Sequence, residues 1–235
     1  MHMKWYVSTR SRLALALVAA SMTSILLWAM GALRNGTLDF AYLIWNLFLA
    51  WVPLGIMLWL EKILRRKLWS SWQALVTTAA FVAFLPNAFY VTTDVIHIQE
   101  FPRVDLIYDV IVFSSFIVNA FILGLICMHM LHTELRRRLS AQKSWTLLSA
   151  VVLLSSFAIY IGRDLRWNTW DILLNPASIL FEVSDRLLAP TQHPEVLWTT
   201  AGYFVFIMST YVTGWHVARV LRQQKIADEF PGDKR

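Results

Sequence analysis

The length of its uncharged apolar runs limits this chain more than any other feature. Leu13–Leu33 holds about twenty consecutive apolar or small residues, the length a helix needs to cross a hydrocarbon core. Five further runs of this kind, each almost free of charge, occupy residues 40–60, 72–93, 106–131, 145–161 and 196–218. No water inside a bilayer can satisfy backbone N–H and C=O groups, so runs of this length must be helices. With 57% hydrophobic and only 15% charged residues, no soluble domain is expected. The expected fold is all-α: a polytopic membrane bundle of six transmembrane helices. In this reading 1–12 is a cytoplasmic leader, 13–218 one membrane domain and 219–235 a frayed polar tail. Lys4, Arg10 and Arg12 before the first run also fit a signal peptide. The core continues through Ser24–Trp28, too long for a typical signal core, so an uncleaved anchor is expected.

The stretch between the fifth and sixth runs is different. Asn175-Pro176 reads as a helix start, with Asn as the cap and Pro in the first turn. From there Ile179, Leu180, Val183, Leu187 and Leu188 fall on one side, and Glu182, Asp185 and Arg186 on the other. An amphipathic interfacial helix over 176–188 is expected on the outer face. Cys127 is the only cysteine and lies inside an apolar run, which excludes an intrachain disulfide or a Cys-x-x-Cys centre.

Charge sets the orientation. Of the 21 Lys and Arg, 16 lie in the leader, the loops near 61–67 and 136–143, and the tail. The positive-inside rule puts those segments, and hence both termini, in the cytoplasm. The net charge of +6 is thus a topology signal, and no nucleic-acid partner is indicated. The bilayer is the expected partner, and the location a multi-pass cell membrane.

Two polar blocks emerge on the opposite side. The first runs from Pro86 to His97. Pro86 removes a backbone donor and should kink the third span, freeing a carbonyl. If the chain stays helical beyond it, Asn87, Tyr90, Asp94 and His97 form one narrow stripe, with Thr93 beside it. A carboxylate and an imidazole three residues apart can share a proton, a metal or a substrate hydroxyl. The second block is Gly162-Arg163-Asp164-Leu165-Arg166-Trp167-Asn168-Thr169-Trp170-Asp171. Arg163 and Arg166 offer forks for phosphate or carboxylate, and Trp167 and Trp170 offer stacking faces. Taken singly these residues also suit an interfacial belt; together they point to a site. Pairing of Arg163 or Arg166 with Asp94, Asp105 or Asp109 would lower the cost of carboxylates near the hydrocarbon boundary.

These two blocks resemble the DUF1361 family of bacterial polytopic membrane proteins of unknown function. The family pattern is Pro-Asn-Ala-Pro-Tyr…Thr-Asp…His, then Gly-Arg…Leu-Arg-Trp-Asn-Ser-Trp-Asp. Here Phe89 stands for a proline, Thr169 for a serine, and Asp164 for an apolar residue. The resemblance extends from about the first span through the sixth. It implies a bacterial inner-membrane location and brings no activity or cofactor with it.

The candidate catalytic groups are Asp94 and His97. The candidate substrate-binding groups are Asn87, Tyr90, Thr93, Arg163, Arg166, Trp167, Asn168, Trp170 and Asp171. Oxygen and imidazole ligands would suit zinc, manganese or iron at Asp94, His97 and Asp171 or Asp109. A plain Asp–His hydrogen bond closing the helix end explains the same spacing. His129, His132 and His216 are expected at the cytoplasmic interface, and His193 in a loop. Three functions stay open: an outer-face enzyme acting on a lipid-linked or envelope substrate, a transporter or channel subunit with Asn46 and Asn119 along its path, or a structural accessory subunit. The sequence specifies neither a cofactor nor an oligomeric state.

Overall fold

The computed structural model describes residues 2–99, 106–164, 174–188 and 192–229, and every regular element among them is helical. In chain order these are α1 (His2–Asn35), α2 (Tyr42–Leu64), α3 (Trp72–Phe84), α4 (Pro86–Tyr90), a 3-10 helix (Val91–Gln99), α5 (Leu106–Arg136), α6 (Ala141–Asp164), α7 (Pro176–Leu188) and α8 (Pro194–Glu229). Six stretches are long and apolar enough to cross a membrane: Arg10–Asn35, Tyr42–Leu64, Trp72–Ile98, Leu106–Arg136, Ala141–Asp164 and Pro194–Gln224. The chain is a multi-pass membrane protein.

Helix ends differ from the sequence expectation for local reasons. α1 begins at His2, ahead of the first apolar run. It stops where Gly36 adopts a φ of 68°, and the Gly36 N–H closes on the Ala32 carbonyl at 2.9 Å. A left-handed residue just past the last turn is the usual glycine stop. The fifth span is longer at both ends than 145–161, and α8 carries helix through most of the expected tail, to Glu229.

Packing makes α5 the hub. It touches α1, α2, α4, the 3-10 helix and α6, while α6 pairs with α8. Its apolar window is 44% buried, against 17% for α1 and for the sixth span, so those two lie at the rim. In lipid, apolar helices gain little from leaving the solvent, so association depends on close packing and buried polar contacts. Both occur here. Phe89 of α4 is fully buried and seats its ring over Gly124 of α5, edge-on to Phe121 at 5.3 Å between centroids. A Cβ at Gly124 would lie 2.6 Å from that ring, so only glycine leaves the seat open. Phe89 is thus a knob with a matching hole.

Buried polar contacts tie α1 to the hub. Ser21 Oγ accepts from Trp51 Nε1 and from Asn119 Nδ2, each at 3.0 Å, and donates to the Leu17 carbonyl at 3.0 Å. Asn119 is thereby part of a three-helix staple. At the end holding the Arg-rich loops, Glu61 takes both arms of Arg10 at 2.8 and 3.2 Å. There Glu134 takes Arg137 and Arg138, and Arg138 also donates to the Leu64 carbonyl at 3.2 Å, closing the end of α2.

His132, near the end of α5, is enclosed by protein. It is fully buried among Trp145, Tyr211 and Trp215, and its Nδ1 lies 2.8 Å from the Tyr211 hydroxyl. An imidazole at a helix end looks interfacial in a sequence; here α6 and α8 close over it.

Candidate functional site

The site is built on the broken third span. Pro86 has no N–H, and the Ala88 N–H bonds the Leu85 carbonyl at 3.1 Å instead of the Phe84 carbonyl one residue earlier. The amide of Asn87 fills the gap, donating from Nδ2 to the Phe84 carbonyl at 3.0 Å. Asn87, predicted to face substrate, thus repairs the break in its own helix. Beyond Tyr90 the run Val91-Thr92-Thr93-Asp94-Val95-Ile96 is rich in β-branched residues, which crowd an α-turn. The chain takes the tighter 3-10 form from Val91 to Gln99. At about 120° per residue, side chains three apart eclipse, so Asp94 and His97 share one edge.

Other spans supply the partners. Asn46, in the first turns of α2, donates from Nδ2 to Asp94 Oδ2 at 2.8 Å. Asp94 is 3% exposed and Thr93 5%, so both are held away from the surface. Arg163, next to last in α6, places Nη1 at 3.3 Å from His97 Nε2. A guanidinium only donates, so a hydrogen bond across this contact runs from Arg163 to His97 Nε2. The Tyr42 ring stands edge-on to His97 at 5.8 Å. From α8, Tyr203 lies 3.3 Å from Thr92 Oγ1, whose hydroxyl also donates to the Phe89 carbonyl at 2.7 Å. Asp94 and Arg163 both act electrostatically on the Tyr90 and Tyr203 hydroxyls, which draws the four groups into one cluster.

Alternation of the spans explains the meeting. The start of α2, the end of the third span, the end of α6 and the start of α8 must lie at one end of an up-and-down bundle. The Arg-rich loops gather at the other end. Of the predicted site residues, Tyr90, Thr93, Asp94, His97 and Arg163 come together. Arg166, Trp167, Asn168, Trp170 and Asp171 lie outside the described residues, as does Asp105. Asp109 lies elsewhere, in a recess between α1 and α5 with Trp28, Asp39 and Tyr108. Among the described residues no group of three or more His, Cys, Asp or Glu side chains could hold a metal ion. Sequence reasoning gave Asn46 only a general place on a polar path, and it missed Tyr203. One amide in an apolar span and one tyrosine near a helix start carry no local signature; only the fold brings them to Asp94.

A family model described as a protein of unknown function, DUF1361, matches residues 45–213. The chain belongs to the DUF1361 family. No curated protein and no solved structure matches it. The DUF1361 match starts at the second span, so it leaves out α1, which the resemblance had included. Every residue of the cluster described above except Tyr42 falls inside the match.

Proposed function

We propose that the protein binds the anionic headgroup of an amphiphilic, lipid-linked envelope substrate at the extracytoplasmic membrane face, with Arg163 holding the anion and Asp94 and His97 moving a proton. The contact of Arg163 with His97 carries this reading, because it sets an imidazole beside a cation. One nitrogen of that imidazole is turned to the guanidinium, which sets a group able to relay a proton next to an anion holder. Asp94, one 3-10 turn earlier and fixed by Asn46, supplies the carboxylate that can take a proton. Val95 and Ile96 beside it are each 50% exposed and offer apolar surface for a chain attached to the headgroup. The distribution of Lys and Arg supports cytoplasmic termini, which turns the cluster outward.

A transport reading draws support from one feature, the discontinuity at Pro86 in a span that touches α2, α5 and α6. Interrupted helices of this kind often hold solutes in carriers. Binding of geranyl phosphate to the protein in nanodiscs tests the main reading. Arg163→Gln is expected to raise the Kd at least about tenfold, the loss of one charge-assisted contact, while Arg163→Lys keeps part of the affinity. Unchanged affinity, or a fall only in the yield of folded protein, would instead assign the cluster a structural role. Uptake of the probe into proteoliposomes that disappears with Asp94→Asn would favour transport.

A further inference from the structure

The same face of α6 carries a second contact to an arginine. Tyr160 and Arg163 are three residues apart, neighbours on one helix face separated by about 4.5 Å of rise. Arg186 of α7 donates from Nη1 to the Tyr160 hydroxyl at 2.8 Å, and Tyr160 is only 1% exposed. Arg163 and Arg186 both act electrostatically on the Asp164 carboxylate, as does Glu195.

What holds Arg186 at rest is displaceable. Its carboxylate neighbour Glu195 stands at 3.6 Å and is 43% exposed on its side chain, a geometry in which an ion pair contributes little. Glu195 also has another partner, since His193 Nδ1 lies 3.1 Å from the same oxygen, and His193 reaches Asp185 of α7 at 3.9 Å. An incoming anion can therefore take Arg186 without stranding Glu195. Surface-exposed Phe181 gives α7 an apolar side chain on the same segment.

We propose that Arg186 is the second arm of the site and that the substrate headgroup is a diphosphate, one phosphate held by Arg163 and the other by Arg186. The inference rests on the headgroup-binding reading above and narrows it. Two planar forks from different elements, one on α6 and one bonded to Tyr160 a turn earlier on the same helix, match two linked tetrahedral anions. A single phosphate can occupy only one fork fully, so the protein ranks diphosphate above monophosphate.

Binding of geranyl phosphate, geranyl diphosphate and inorganic pyrophosphate to the full chain in nanodiscs tests this. The wild type is expected to bind the diphosphate about tenfold more tightly than the monophosphate, equivalent to about 1.4 kcal/mol. Arg186→Gln should bring that ratio close to one, and Arg186→Lys should keep part of it, which separates lost recognition from lost folding. A wild type with no preference, or a ratio that survives Arg186→Gln, overturns the second arm and leaves monophosphate binding at Arg163 standing. If neither prenyl ligand binds, both this inference and the headgroup reading fail. Pyrophosphate binding as tight as that of geranyl diphosphate supports the two-phosphate grip but moves the ligand from the membrane to solution.

Discussion

Phe89→Ala is expected to destabilise the folded bundle by about 3 kcal/mol, at the low end for buried Phe→Ala changes. The low end applies because the ring leaves a protein interior for a state still in lipid. The loss is then contact and cavity energy, with little transfer from water. Phe89 is fully buried at the point where α4 meets α5, and its ring fills the hole left by Gly124. Gly124→Ala attacks the same seat from the other side. Its Cβ would stand 2.6 Å from a ring already pressed against Phe121, so the ring cannot simply move aside. Overpacking of this kind costs about 1–3 kcal/mol. Combining the two changes places a methyl group in the cavity the ring vacated. The double variant should therefore be more stable than the sum of the single losses by about 1 kcal/mol, a coupling expected of residues in contact. Reversible unfolding in mixed micelles measures all three. Simple additivity would mean that ring and glycine are not in contact.

Asn46→Leu is expected to cost nearly as much, about 2–3 kcal/mol, because it leaves the Asp94 carboxylate buried without its donor. The loss should fall on stability and site geometry together, since Asn46 is what holds Asp94 Oδ2. Replacing both residues by apolar ones of similar size should restore much of the stability while leaving the site without its carboxylate. Removing one partner of a buried polar pair costs more than removing both. If Asn46→Leu proves as stable as the wild type, Asp94 is not buried as described.

Both predictions involve contacts that a reading of the chain alone could not supply. The spans were legible because bilayer length and the absence of charge are properties of consecutive residues. The meeting of His97 with Arg163 was legible as well, since six alternating helices bring the end of the third span and the end of the fifth to one side. The pairing of Asn46 with Asp94 was not, because an amide in an apolar run fits many environments. The burial of His132 under Trp145 and Trp215 depends on how α6 and α8 cross, which no local pattern encodes. The switch from α4 to a 3-10 helix had a partial signal in the β-branched run after Pro86. The stripe drawn with α-helical periodicity did not show that the Asn87 amide donates to the Phe84 carbonyl.

The account depends on the third and fifth spans meeting at one small site, and cross-linking in native membranes tests that most directly. Cysteines replacing His97 and Arg163 should be joined rapidly by a short bismaleimide, because the native side chains come within 3.3 Å. A His97→Cys and Arg137→Cys pair, spanning opposite ends of the bundle, should remain unlinked. Efficient linking of the second pair, or none of the first in protein that is folded and reactive at both thiols, would contradict the shared site.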